Sequence, residues 1–131
     1  MFYGCTVLTG VTIPDGVNSI GYSTFCGCTG LTSIAIPERV TAIGDEAFKN
    51  CTGITDVVVS DSVTEIGYRA FEGCSSLTSI TLPFVGATKD GSKNTHFGYI
   101  SGAFHYGGNP TCVPSGLQTL IITAGTSIAD C

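Results

Sequence analysis

The sequence predicts a repeat solenoid, mainly short parallel β-strands with irregular or single-turn helical connections. Three observations point to it. Apolar positions recur every 23 residues, the apolar residues inside each unit stand two apart as in a strand, and no segment reaches the length of an independent helix.

The recurrence is carried by many positions at once. Phe2, Phe25, Phe48 and Phe71 are in phase with Cys5, Cys28, Cys51 and Cys74, and with Leu8, Leu31, Ile54 and Leu77. The same interval relates Val11, Ile34, Val57 and Ile80, then Ile13, Ile36, Val59 and Leu82. Val17, Val40 and Val63 follow, and Ile20, Ile43 and Ile66 are each followed by a glycine, Gly21, Gly44 and Gly67.

Each element of the unit has its own local reason. "LTSIAI" and "LTSITL" alternate apolar and small polar residues with β-branched types, which is strand behaviour. "IPDGV" is a turn, because Pro14 presets φ while Asp15 and Gly16 tolerate the tight conformations that follow. "VTAIG" and "VTEIG" are second short extended pieces. "DEAF" and "YRAF" are expected to form a single helical turn, with Asp45 as its cap.

One such unit cannot bury its own apolar stripe, so successive units must stack, placing equivalent residues in columns about 4.8 Å apart. The odd count of seven cysteines then has an explanation other than a secreted disulfide framework. Cys5, Cys28, Cys51 and Cys74 form one buried column of free thiols, since side chains in parallel register point the same way rather than at each other. Cys26, which shares its position with Tyr3, Lys49 and Glu72, is expected to be exposed and free.

The unit resembles a leucine-rich repeat of the BspA-like type, on "LTSIAIPERVTAIGDEAFKNC" (Leu31 to Cys51), "ITDVVVSDSVTEIGYRAFEGC" (Ile54 to Cys74) and the partial copies at both ends. The resemblance implies a right-handed leucine-rich-repeat coil with a parallel sheet on one face. It also implies a bacterial surface protein that binds host or microbial macromolecules, with no shared catalytic site. The chain enters the pattern at once and stops partway through a unit, so it is expected to be a fragment of a longer array. Its uncapped ends are expected to favour end-to-end self-association.

The 131 residues read as one solenoid domain, with repeats in phase from 2 to 83, an interrupted, loop-bearing repeat over 84–116 and a partial terminal repeat over 117–131. Leu117, Leu120 and Ile122 restore the strand pattern, 40 residues after Leu77 where 23 are expected. The surplus falls in two loops, "FVGATKDGSKNTHFGY" and "HYGGNPTCVPSG", which flank Ile100 and Phe104 as ordinary repeat positions. Insertions of this kind project from one face of a solenoid and often carry recognition.

Composition excludes several functions. The net charge is −5, and the five basic residues are scattered, so no nucleic-acid footprint exists. No apolar run is long enough to insert directly into a membrane, and the start shows no export signal, which is expected to lie outside this piece of a cell-surface or extracellular protein. His96, His105 and Cys112 are acceptable zinc ligands, but their spacing matches no compact pattern and a fourth ligand is missing. Asp90, Ser92 and Asn94 alternate like the start of a calcium loop without its glycine and terminal glutamate. Cys112 with His105 is the one nucleophile–base pair worth naming, and it does not support an enzyme. No metal or cofactor is expected.

The natural binding surface is the outward-facing strand residues. These are Gly10 and Thr12, Ser33 and Ala35, Asp56 and Val58, Ser79 and Thr81, then Thr119 and Ile121. The stripe is small and nearly uncharged. Better anchors are the insertion residues His96, Phe97, Tyr99, His105 and Tyr106, joined by Phe84, although such rings also serve to cover a core where the coil is broken. The acids Asp45, Glu46, Asp61, Glu65 and Glu72 read as a solvated face. The sequence therefore points to a non-enzymatic, adhesion-type module for a protein or glycan partner, or else to a structural spacer presenting another domain.

Overall fold

The computed structural model describes residues 2–84, 87–90, 92 and 116–123. Two parallel sheets join the coils along the described stack, the smaller over three coils and the larger over four strands. β1 (Ser19–Ile20), β3 (Ala42–Ile43) and β5 (Glu65–Ile66) form the smaller one. β2 (Ser33–Ile36), β4 (Asp56–Val59), β6 (Ser79–Leu82) and β7 (Thr119–Ile122) form the larger, in that order. Pairing follows the repeat: Ser33 lies beside Asp56 and Asp56 beside Ser79, each an offset of 23. At the last pair the offset becomes 40, with Ser79 beside Thr119 and Leu82 beside Ile122. The first coil's Val11–Ile13 lies outside the assigned strands.

The strand residues that alternate inward make the core. Ile34, Ile36, Val57, Val59, Ile80 and Leu82 are buried, and Leu31, Ile54 and Leu77 close the same layer from the preceding turn. Opposite them stand the phenylalanines. Phe2, Phe25, Phe48 and Phe71 form a column of nearly parallel rings, with successive centroids 5.5, 5.2 and 5.4 Å apart and interplanar angles of 2°, 7° and 3°. Rings one coil apart cannot meet edge to face, so the repeat imposes the offset parallel arrangement.

The expected helical turns at "DEAF" and "YRAF" do not form, and no helix occurs among the described residues. Ser23, Glu46 and Arg69 adopt φ values of 51°, 56° and 56°, and a left-handed residue at the same place in every coil ends any right-handed helix. The chain instead makes successive turns whose amides alternate between two partners. Lys49 and Cys51 N–H donate three residues back, to the Glu46 and Phe48 carbonyls. Glu46, Phe48 and Asn50 N–H donate to the next coil, to the Tyr68, Ala70 and Glu72 carbonyls at 2.9, 2.8 and 2.6 Å. Asp45 caps nothing within its own coil; its Oδ1 accepts the Tyr68 N–H of the next one at 2.8 Å. Close stacking also explains the repeated Ile-Gly pair, since a Cβ on Gly44 would sit 2.8 Å from the Gly21 carbonyl carbon.

The thiol column is present and the five described cysteines are all free, but only Cys28, Cys51 and Cys74 are buried; Cys5, on the first coil, is partly exposed. These thiols are more than small hydrophobes. Cys28, Cys51 and Cys74 Sγ donate to the carbonyls of Phe2, Phe25 and Phe48 at 3.0, 3.0 and 3.2 Å, so each thiol reaches the preceding coil. Cys26 corrects the expectation of exposure: it is free but only 7% exposed. It shares its repeat position with Tyr3, Lys49 and Glu72, and of the four only Cys26 is buried.

Two outcomes follow from this packing. Phe48→Ala empties the middle of the ring column and is expected to cost about 3–5 kcal/mol in denaturant unfolding. Phe2→Ala, at the 43%-exposed end of the column, should cost less than half of that, and equal losses would rule out the column as the source. The second outcome concerns pH. Burial pushes the Cys51 thiol from 9.0 up to about 12, and it pushes Cys28 and Cys74 upward too. The unfolded chain ionises these thiols near their ordinary value while the folded chain keeps them protonated. Above about pH 9 the unfolded state therefore binds fewer protons, and stability present below that pH is lost as pH climbs toward the folded value. Unfolding midpoints should fall between pH 9 and 10, and Cys51→Ala should flatten the slope.

Candidate functional site

Outward residues of the large sheet are brought into two straight rows by the strand register. Ala35, Val58, Thr81 and Ile121 form one, and Ser33, Asp56, Ser79 and Thr119 the other. Thr12 is exposed on the first coil, one repeat before Ala35. Val58 and Ile121 are 49% and 48% exposed, and they give the first row an apolar character that the second lacks. Asp56 is the one charge in either row, and its carboxylate accepts the Thr55 hydroxyl at 3.1 Å.

Beside these rows run columns of threonine that the sequence displays but whose role only the structure reveals. Thr32, Thr55 and Thr78 Oγ1 donate to the main-chain carbonyls of Thr9, Thr32 and Thr55, at 3.3, 3.3 and 3.1 Å. Thr41 and Thr64 repeat the arrangement at the small sheet, on the Asn18 and Thr41 carbonyls. These hydroxyls face the neighbouring coil, that of Thr55 sharing its single proton between the Thr32 carbonyl and the Asp56 carboxylate, and the spacing of 23 is the signal the sequence offers.

Beside the middle of the first row, where the strands run out, lies a shallow depression of about 420 Å³, lined by Glu38, Val58, Val59, Ser60, Asp61, Ser62, Thr81 and Thr123. It sits at the turn where the third coil departs from the others, carrying Ser60, followed by Asp61 and Ser62, where Pro14, Pro37 and Pro83 stand elsewhere. Ser60 Oγ donates to the Pro37 carbonyl at 3.1 Å and Ser62 Oγ to the Val40 carbonyl at 2.9 Å. These bonds replace the conformational restraint that proline supplies in the other turns.

The acids are not a uniform solvated face. Glu46 and Glu72 are partly buried and share Lys49, whose Nζ lies 2.9 and 3.3 Å from their carboxylates. The Glu46 bond raises the Lys49 ammonium above its ordinary value. Arg69 lies over the Tyr68 ring at 4.9 Å. Asp61 accepts the Thr123 hydroxyl. Asp90 is held down at about 2, chiefly by the Ser92 hydroxyl and then by its amide, which donates to Oδ1 at 2.9 Å. That carboxylate is engaged in its own loop, and among the described residues no group of three His, Cys, Asp or Glu is placed to hold a metal.

The insertion residues divide in two. Phe84 is no surface anchor: it is 1% exposed and belongs to the core, which needs a large ring where the coil leaves its repeat. His96, Phe97, Tyr99, Ile100, Phe104, His105, Tyr106 and Cys112 lie outside the described residues, as do Asn94 and Ile128. No helix among the described residues is long and apolar enough to cross a membrane.

Comparison with known proteins agrees with this geometry. Residues 1–92 match the BspA type leucine rich repeat region, in six copies. A leucine rich repeat protein from T. pallidum superposes over 92% of this chain and 48% of its own, with 34% identity and a TM-score of 0.70. One from Bacteroides ovatus covers 63% of this chain and 21% of its own, at 41% identity and 0.60. A leucine rich cell surface protein from Faecalibacterium prausnitzii covers 88% and 36%, at 28% identity and 0.52. The chain thus spans between about a fifth and a half of the length of these structures. No curated protein matches it. With the family pattern matched over most of its length and its coils stacked in that register, the chain belongs to the BspA-type leucine-rich repeat family.

Proposed function

We propose that the chain is a non-enzymatic recognition module of adhesion type, which contacts a protein or glycan through the outer face of the large sheet and the insertion that follows β6. The observation that carries this reading is the continuity of that face. β7 rejoins the sheet in register after a 40-residue excursion, so Ile121 extends the row of Ala35, Val58 and Thr81. A stack serving only as a spacer has no need to restore the same outward row after leaving it. Val58 and Ile121, each about half exposed, provide apolar contact in a surface otherwise made of Ala35, Asp56 and hydroxyl-bearing residues.

Placement at a bacterial cell surface is part of the same proposal. It is supported by the similarity to a protein described as a cell surface protein, which shares 28% of its residues over 88% of this chain. A repeat array suits such a role, because each coil adds surface without altering the fold of its neighbours.

Binding of the labelled chain to surfaces coated with purified mucin and with extracellular-matrix protein tests the reading. Saturable binding is expected on one of them. Val58→Asp with Ile121→Asp, and separately Tyr99→Ala with Tyr106→Ala, should each weaken it by about tenfold or more, with unfolding midpoints little changed. Absence of saturable binding on both coatings, or binding that neither pair alters, would favour the spacer.

A further inference from the structure

Both stretches of chain that flank residues 93–115 are fastened to one turn of the third coil. On the entering side, Lys89 Nζ donates to the Asp61 main-chain carbonyl at 2.8 Å. On the returning side, the Thr123 hydroxyl donates to the Asp61 carboxylate, while Thr123 N–H holds the Leu82 carbonyl at 3.0 Å. The turn itself is fixed to the second coil by Ser60 and Ser62. We infer that Asp61 is a positioning residue, which holds the end of β7 in register and thereby sets where the last rung of the outer face stands.

Regular coils need no such device, because both sheets and the turn segment hold each coil to the next. Among the described residues β7 is joined to the stack by the large sheet alone: the small sheet ends at β5, where Ala87–Lys89 runs antiparallel, with Ile66 N–H on the Ala87 carbonyl at 2.9 Å and Lys89 N–H on the Thr64 carbonyl at 3.0 Å. Leu120 and Ile122 are only partly buried, unlike their equivalents Ile80 and Leu82, which are fully covered. A strand with less apolar cover is the place where one side-chain contact decides the population of the open state. The inference stands whether or not the outer face binds a partner.

Native-state amide hydrogen exchange on the full chain tests it without any ligand. Asp61→Ala should speed exchange of the Thr119–Thr123 amides by about tenfold, with amides of β2 and β4 unchanged. Asp61→Asn keeps an acceptor oxygen and should restore most of the protection. Thr123→Val should match Asp61→Ala, and combining the two should add little, as expected for groups that act on each other. Exchange in β7 left unchanged by Asp61→Ala, acceleration spread equally over β2 and β4, or full additivity of the two variants would each overturn the assignment.

Discussion

The structure depends on one constraint: every coil must present its main chain to the next at a fixed spacing. Main-chain bonds enforce this at three places around the coil. Leading into the large sheet, Thr55 N–H donates to the Thr32 carbonyl; leading into the small sheet, Thr64 N–H donates to that of Thr41. At the turn segment the direction reverses, and Phe48 N–H donates forward to Ala70. No coil satisfies these groups alone, so stability resides in the joins between coils rather than within them. The ring column, the thiols that reach back to phenylalanine carbonyls and the threonine hydroxyls that copy the amide bonds all follow from placing a residue directly above its counterpart.

That constraint decides what the sequence can reveal. A column needs the same residue type at the same interval, so the phenylalanines, thiols and inward strand positions could be read from spacing alone. Conformation inside the turn segment could not. "DEAF" has helical composition, yet Glu46 takes a left-handed φ of 56° because the next coil requires its amide as a donor. Tertiary demand there overrides local propensity. Cys26 is buried although its repeat counterparts Tyr3, Lys49 and Glu72 are not, a difference that spacing alone does not carry. The candidate surface was legible as alternation, from Ser33 to Ile121, whereas the Asp61 contacts were not, because they join residues 28 and 62 apart that share no repeat position.

Regularity also limits recognition. A row in which every rung carries a small residue offers the same weak contact repeatedly, and tight binding draws instead on a few large, well-packed anchors. Departures from the repeat are therefore where specificity can arise. In this chain they cluster: the serine-flanked Asp61 turn, the antiparallel end of the small sheet and the 40-residue step between β6 and β7 all lie at one end of the described stack.

The same clustering bears on stability along the stack. Where both sheets and the turn segment continue, as between the second and third coils, opening one coil breaks three sets of bonds and uncovers residues such as Phe48 and Ile43, which are at most 2% exposed. Between β6 and β7 only the large sheet continues among the described residues, and the strand beyond it keeps Leu120 and Ile122 partly uncovered. With nearest-neighbour coupling, the least-covered join opens first and does so without disturbing distant coils. Among the described residues, then, the coils joined by both sheets and the turn segment form the firmest part of the stack, and the join between β6 and β7 rests on fewer contacts.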